Sequence, residues 1–316
     1  MASIPSLLTV TLNPAVDRNY EIEGFQAGGV YVPSKMSVTA GGKGVNVARV
    51  WKALGGTTVA TGFIGGAAGR FIAERVAEQG IGSEFVEIAR ETRTAFILED
   101  SASGHELIVN ERGPTADESE QSLFLDKLRS LVQGFDFVAI CGSAPVGVAS
   151  EYYARVVEIA RSGDATVLLD AAGENLICGA KAGAHIVKPN AVEATALGAN
   201  IETWTDAPCE ALKLSARYGI ETVLLSGGSN GAVLASGGAV WSVTPPRIDV
   251  VSTVGCGDSM SSGLLWGLAQ SPDDWAGALR WAVAVGTANA LTFGAGEVSI
   301  SDILGMWGRI ESTRLA

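Results

Sequence analysis

The chain has 316 residues, 47% of them hydrophobic, which suits a large α/β core and excludes a disordered chain. Its 34 acidic residues outnumber its 22 basic ones, for a formal net charge of −12. Nucleic acid and anionic membrane are therefore excluded as main partners, since both call for clustered Lys and Arg. The run Leu7-Leu8-Thr9-Val10-Thr11-Leu12 predicts a first, buried strand. Residues 15–37 and 93–112 carry short alternating runs, such as Tyr20-Glu21-Ile22-Glu23 and Ala95-Phe96-Ile97-Leu98, and predict a small separate sheet. Between them Val45–Leu54 is helical in pattern, with Val47, Val50, Trp51 and Leu54 on one face. Strands are predicted at 135–140, 166–170, 185–187 and 222–225, with helices such as Ser150–Arg161 and Pro208–Tyr218 between them. This alternation predicts a mostly parallel sheet covered on both faces. Towards the end, the β-branched run Ile248–Val251 reads as a strand before a glycine turn and a helix, and Ala282–Gly296 as a helix with a following turn.

The cysteines Cys141, Cys178, Cys209 and Cys256 form no Cys-x-x-Cys pair, and neither His105 nor His185 stands near them in a zinc-like spacing. They read as reduced thiols, in keeping with a cytoplasmic protein. No signal-peptide pattern and no apolar run of about 18 residues is visible, so no membrane span is expected.

The segment Ser252-Thr253-Val254-Gly255-Cys256-Gly257-Asp258-Ser259 carries the most chemistry. Its glycines expose backbone N–H groups at a helix N-terminus, where the helix dipole also favours an anion. A carboxylate at Asp258 would repel bound phosphate, so its simplest use is as the base for an attacking hydroxyl. The plainer alternative is a helix N-cap. Gly41-Gly42-Lys43-Gly44 lacks the spacing of a Walker loop. Asn190 and Glu193 read either as a metal-organising pair or as an N-cap and its capping-box partner. Ser226-Gly227-Gly228-Ser229-Asn230-Gly231 is a strand-to-glycine turn that could simply join a hairpin.

Four segments in order resemble the PfkB/ribokinase family of sugar kinases: Thr11–Asp17, Ala40–Arg49, Lys188–Glu193 and Ser252–Ser259. The chain departs from the family's usual form at Ser252, where Asp or Asn is usual, and at Cys256, where Ala is usual. The resemblance implies one ribokinase-like three-layer αβα kinase domain over 1–316, with 15–37 and 93–112 forming a β lid that also pairs subunits into a homodimer. It implies that Asp258 is the base and that Gly255, Cys256 and Gly257 form the anion hole. It places the sugar against Asp17, Gly42, Lys43, Asn46, Arg93 and Ser143, with Lys43 and Arg93 on a phosphate the sugar already carries. The nucleotide falls to Lys188, Asn190, Ser226, Gly228, Gly231 and Thr253. ATP and Mg²⁺ are implied, the metal held by Asn190 and Glu193 through water, with a monovalent cation as a further cofactor. Within the family the chain is most similar to the 1-phosphofructokinase branch, which implies fructose 1-phosphate as substrate. Tagatose-6-phosphate kinase and 6-phosphofructokinase are the alternatives. A non-catalytic sensor on the same fold is the reading from a different class.

Overall fold

The computed structural model describes residues 4–316. The chain begins with β1 (Ser6–Thr11), β2 (Ala15–Ile22), β3 (Lys35–Gly41), α1 (Lys43–Ala53), β4 (Thr57–Ile64) and α2 (Gly66–Glu78). Next come β5 (Gly82–Ser83), β6 (Val86–Glu87), β7 (Arg93–Asp100), β8 (Glu106–Asn110), α3 (Glu118–Leu131), β9 (Phe137–Cys141) and α4 (Glu151–Arg161). Then follow β10 (Thr166–Asp170), α5 (Gly173–Lys181), β11 (Ile186–Val187), α6 (Ala191–Ala196), α7 (Ala207–Tyr218) and β12 (Thr222–Ser226). The chain closes with β13 (Ala232–Ser236), β14 (Ala239–Val243), α8 (Cys256–Gln270), α9 (Trp275–Asn289), α10 (Ile300–Trp307) and β15 (Ser312–Arg314).

The main sheet runs β15-β14-β13-β12-β11-β10-β9-β1-β4-β5, with β6 also on β4. Its centre is parallel, and β13 to β15 add an antiparallel edge. Strand side chains alternate between faces, and the two cores show it. Leu8 and Val10 of β1, Val167 and Leu169 of β10, and Val223 and Leu225 of β12 enter one layer with Phe63, Phe124 and Tyr153. Leu7, Leu168 and Leu224 enter the other, with Trp51, Leu265 and Leu279. Helices thus cover both faces, as the apolar runs predict. The carboxyl ends of β1, β9, β10, β11 and β12 reach one edge, where ligands of open α/β sheets collect.

The small sheet runs β3-β2-β7-β8. β2, β7 and β8 lie within the predicted segments, whereas β3 continues past residue 37 to Gly41; β2 and β7 carry Asp17 and Arg93 to that same edge, and Gly42 follows directly on β3. The edge strand β8 presents Leu107, Ile108 and Val109 to solvent.

Ile248–Val251 is not a strand. Pro245 and Pro246 precede it, and the first bonds available to it are those of Val251 and Ser252 N–H to the Ala290 carbonyl. β-branching supplies propensity, but no neighbouring strand pairs with it. The predicted helix at Ala282 starts earlier, at Trp275, because the Asp274 side chain accepts from Gly277 N–H and caps it there. The Ser226–Gly231 turn does join a hairpin, between β12 and β13.

Candidate active site

The turn before α8 is built on Gly255. Its φ is +81°, and a Cβ there would stand 2.8 Å from the Ala295 Cα, so only glycine fits. Gly255 is also the helix cap and gives no side-chain cap bond, which leaves Asp258 inside the first turn rather than at the cap. First-turn N–H groups have no partner within the helix, so those of Gly257 and Asp258 remain for an anion, whereas that of Cys256, expected in the anion hole, donates to the Thr253 carbonyl at 3.3 Å. Cys256 is a filler: burial pushes its thiol up to about 11, and Asn289 Nδ2 lies 3.6 Å from its sulfur.

Asp258 is buried, and its Oδ2 accepts from Asn46 Nδ2 at 2.8 Å. Burial raises its pKa to about 6; Lys43 opposes this and Asp170 reinforces it. Asp17 is raised to about 7, again by burial, with Arg49 and Arg93 opposing. Asp170, at the end of β10, is fully buried between two ammonium groups, with Lys43 Nζ and Lys188 Nζ both at 2.8 Å. Burial would raise it, but Lys188 and Lys43 outweigh that and hold it below the usual carboxylate range. Ser261 Oγ, one helical turn beyond Asp258, donates to the same carboxylate at 3.1 Å.

One cavity of about 960 Å³ gathers most of the predicted residues: Asp17, Gly42, Lys43, Asn46, Arg93 and Ser143, together with Thr253, Gly255, Asp258, Asn190 and Glu193. A second, of about 340 Å³, is lined by Asn190, Trp204, Ser226 and Gly228. Gly231 lines neither. Its φ is +97°, and it turns the hairpin where a Cβ would meet the Val243 carbonyl at 2.0 Å. Lys188 also lines neither, because it is buried on Asp170.

Three of these side chains have partners within the protein. Lys43 does not stand free: besides Asp170, its Nζ lies 3.5 Å from Glu193 Oε1, so it faces the Glu193 side of the cavity. Asn46 does not offer both ends of its amide to a ligand, since Oδ1 accepts from Arg49 and Nδ2 donates to Asp258. Arg93 donates through Nε to the Asn13 carbonyl at 3.1 Å and through a terminal nitrogen to the Glu111 carbonyl at 3.2 Å, which aims the fork from the lid.

Asn190 and Glu193 form the capping box: Asn190 Oδ1 accepts from Glu193 N–H at 2.8 Å, and Glu193 Oε2 from Asn190 N–H at 2.9 Å. That leaves Glu193 Oε1 towards the cavity. Among the described residues no group of three or more His, Cys, Asp or Glu could enclose a metal. The donor set fits a hydrated ion touched through water, as magnesium prefers, and not a protein cage.

Sequence reasoning missed Asp170, Arg49 and Glu106. Asp170 carried a signal, an acid ending an apolar strand before Ala171-Ala172-Gly173. Glu106 carried none. From β8 of the lid its carboxylate accepts from Ser252 Oγ, Thr253 N–H and Thr253 Oγ1, each at 3.0 Å, tying the lid to the start of the anion turn.

A parallel sheet with helices on both faces, a small lid and a buried carboxylate at an anion turn define a phosphotransferase of ribokinase-like fold. The pfkB family carbohydrate kinase model matches residues 10–302, and the chain belongs to that family. Phosphofructokinase-2 from Escherichia coli, solved in complex with potassium, superposes with a TM-score of 0.89 at 26% identity, over 97% of this chain and 99% of that one. A possible 1-phosphofructokinase from Thermotoga maritima superposes with a TM-score of 0.90 at 25% identity, over 98% of this chain and 100% of that one. The chain is accordingly a sugar or sugar-phosphate kinase. Among the described residues no helix is long and apolar enough to cross a membrane.

Proposed function

We propose that the protein transfers the γ-phosphoryl group of ATP to the C6 hydroxyl of fructose 1-phosphate, giving fructose 1,6-bisphosphate. The observation that carries this is a single cavity lined by Asp258 at the anion turn and by Arg93 and Arg112 from the lid side. Asp258 takes the proton of the attacking hydroxyl. The new bond joins O6 to the γ-phosphorus, and the bond from that phosphorus to the β–γ bridging oxygen breaks, releasing ADP. The amides of Gly257 and Asp258 meet the charge of the transferring group. Lys43, fixed between Asp170 and Glu193, adds its charge on the nucleotide side. Arg93 and Arg112 take the phosphate already on the sugar, a task suited to a bidentate fork. Asp17 accepts from sugar hydroxyls. ATP extends towards the Ser226–Gly228 cavity. Bound Mg²⁺, touched through water by Glu193, would neutralise phosphate charge. A monovalent cation is proposed from the potassium complex of the E. coli protein; omitting K⁺ and Na⁺ from the assay below would then lower turnover, and unchanged rates would remove it.

The similarity to phosphofructokinase-2 favours a second reading, fructose 6-phosphate as substrate. A coupled assay with fructose 1-phosphate, fructose 6-phosphate and tagatose 6-phosphate decides between them. One buried polar group left unpaired by a reversed sugar costs ~1–3 kcal/mol, so a preference of about tenfold or more in kcat/KM for fructose 1-phosphate is expected. Equal values, or a preference for either 6-phosphate, reject the assignment.

A second copy of this chain is proposed to pair along β8, whose edge is open and whose Leu107, Ile108 and Val109 are nearly half exposed. Sedimentation should give the mass of two chains, and Ile108→Lys that of one. A monomeric wild type at micromolar concentration would remove this proposal.

A further inference from the structure

We infer that Arg49 is a positioning residue for the transfer step, setting the direction of the Asp258 carboxylate through the Asn46 amide. The inference rests on the kinase reading above. Arg49 lies on α1, a turn beyond Asn46, and lines neither cavity. Its donors are committed within the protein: one terminal nitrogen to Asn46 Oδ1 at 2.9 Å and to the Ala295 carbonyl at 2.6 Å, the other to the Ala40 carbonyl, and Nε to Gln79 Oε1 at 3.2 Å.

An arginine only donates, so the Asn46 atom facing it must be the amide oxygen. The amide nitrogen is then the atom facing Asp258, at 2.8 Å from Oδ2. The reverse orientation would set N–H against guanidinium and oxygen against carboxylate. Asn46 is 5% exposed, and both ends of its amide are engaged by these two partners. Asp258 therefore has one of its oxygens held by a donor whose direction is decided two side chains away. The other oxygen is left for the substrate hydroxyl.

The same arginine reaches the anion turn by a second route. Beside Ala295, Gly296 N–H donates to Asn289 Oδ1 at 2.7 Å, and Asn289 Nδ2 donates to the Val254 carbonyl at 2.8 Å. Asn289 is fully buried, and its Oδ1 also accepts from Ser259 Oγ at 3.0 Å, next to the base. Base and turn are thus referred to one loop, and Arg49 holds that loop to α1.

A double-mutant cycle on kcat tests this, with ATP and sugar phosphate both saturating and melting temperature recorded alongside. Asp17 also feels the charge of Arg49, so the sugar KM is not the readout. Asn46→Ala and Arg49→Met should each lower kcat by about 10-fold or more. The double variant should fall within about threefold of the worse single one, because groups that act as a unit are not additive. Arg49→Lys should recover most of the melting temperature and little of kcat, since an ammonium cannot span the Asn46 and backbone acceptors as the planar fork does. If Arg49→Met does not fold, the cycle is run with Arg49→Lys. Multiplying losses, an unchanged kcat, or a loss that tracks melting temperature and is cured by lysine overturns the inference in an active enzyme. An enzyme inactive on all three sugar phosphates overturns the ketohexose-phosphate assignment on which this inference rests, and the inference with it.

Discussion

Asp258→Asn is expected to bind ATP and sugar phosphate about as well as the wild type and to lose ~10²- to 10⁴-fold in kcat, the usual cost of removing a general base. Asparagine keeps the shape and can still meet Asn46, but it cannot take a proton. The capping alternative does not apply, since Gly255 holds the cap position. A variant keeping more than about a tenth of wild-type kcat would remove Asp258 from this role. The wild-type profile should agree. A carboxyl raised to about 6 is charged only above that pH. kcat/KM, which reports groups of the free enzyme, should therefore hold well above pH 7 and fall by at least roughly tenfold per unit below about pH 6, with protonation of Asp17 adding to the loss. A profile flat down to pH 4.5 contradicts the assignment.

The second large effect concerns stability. Asp170→Asn leaves the Lys188 and Lys43 ammonium groups facing each other with no charge between them, and Lys188 is only 3% exposed. Removing one partner of a buried ion pair costs ~3–5 kcal/mol. The expected result is an unfolding midpoint in urea lowered with an unchanged slope. Turnover should fall as well, because Lys43 loses its direction. A midpoint within experimental error of the wild type would show that the cluster contributes nothing to folding.

What was legible in the sequence is what lies close together in it. The anion turn and its aspartate occupy one octapeptide, and the lid shows itself by period-two runs against the helical spacing around it. The apolar runs of β1, β10 and β12 report strands buried on both faces, as central strands must be. What stayed hidden depends on pairing across the chain. Lys43 and Asp170 are 127 positions apart, so a cation in a glycine turn could be seen but not the carboxylate waiting for it. Arg49 stood inside a recognised segment, yet its use follows from where Asn46 and Ala295 come to rest. Ile248–Val251 failed for the opposite reason: its residues favour a strand, and a strand also needs a neighbour.

The bond from Glu106 to Ser252 limits what can be changed at either end of it. Glu106 stands opposite Glu99 in the lid ladder, and Glu99 Oε1 is already buried without a partner. An aspartate at position 252, the acidic form usual in the family, would bring a further negative charge against Glu106 and remove the hydroxyl it accepts from. The Ser252 hydroxyl and the Glu106 carboxylate are thus matched as donor and acceptor, and a change at either position alone would loosen the lid from the anion turn without touching a residue that meets the substrate.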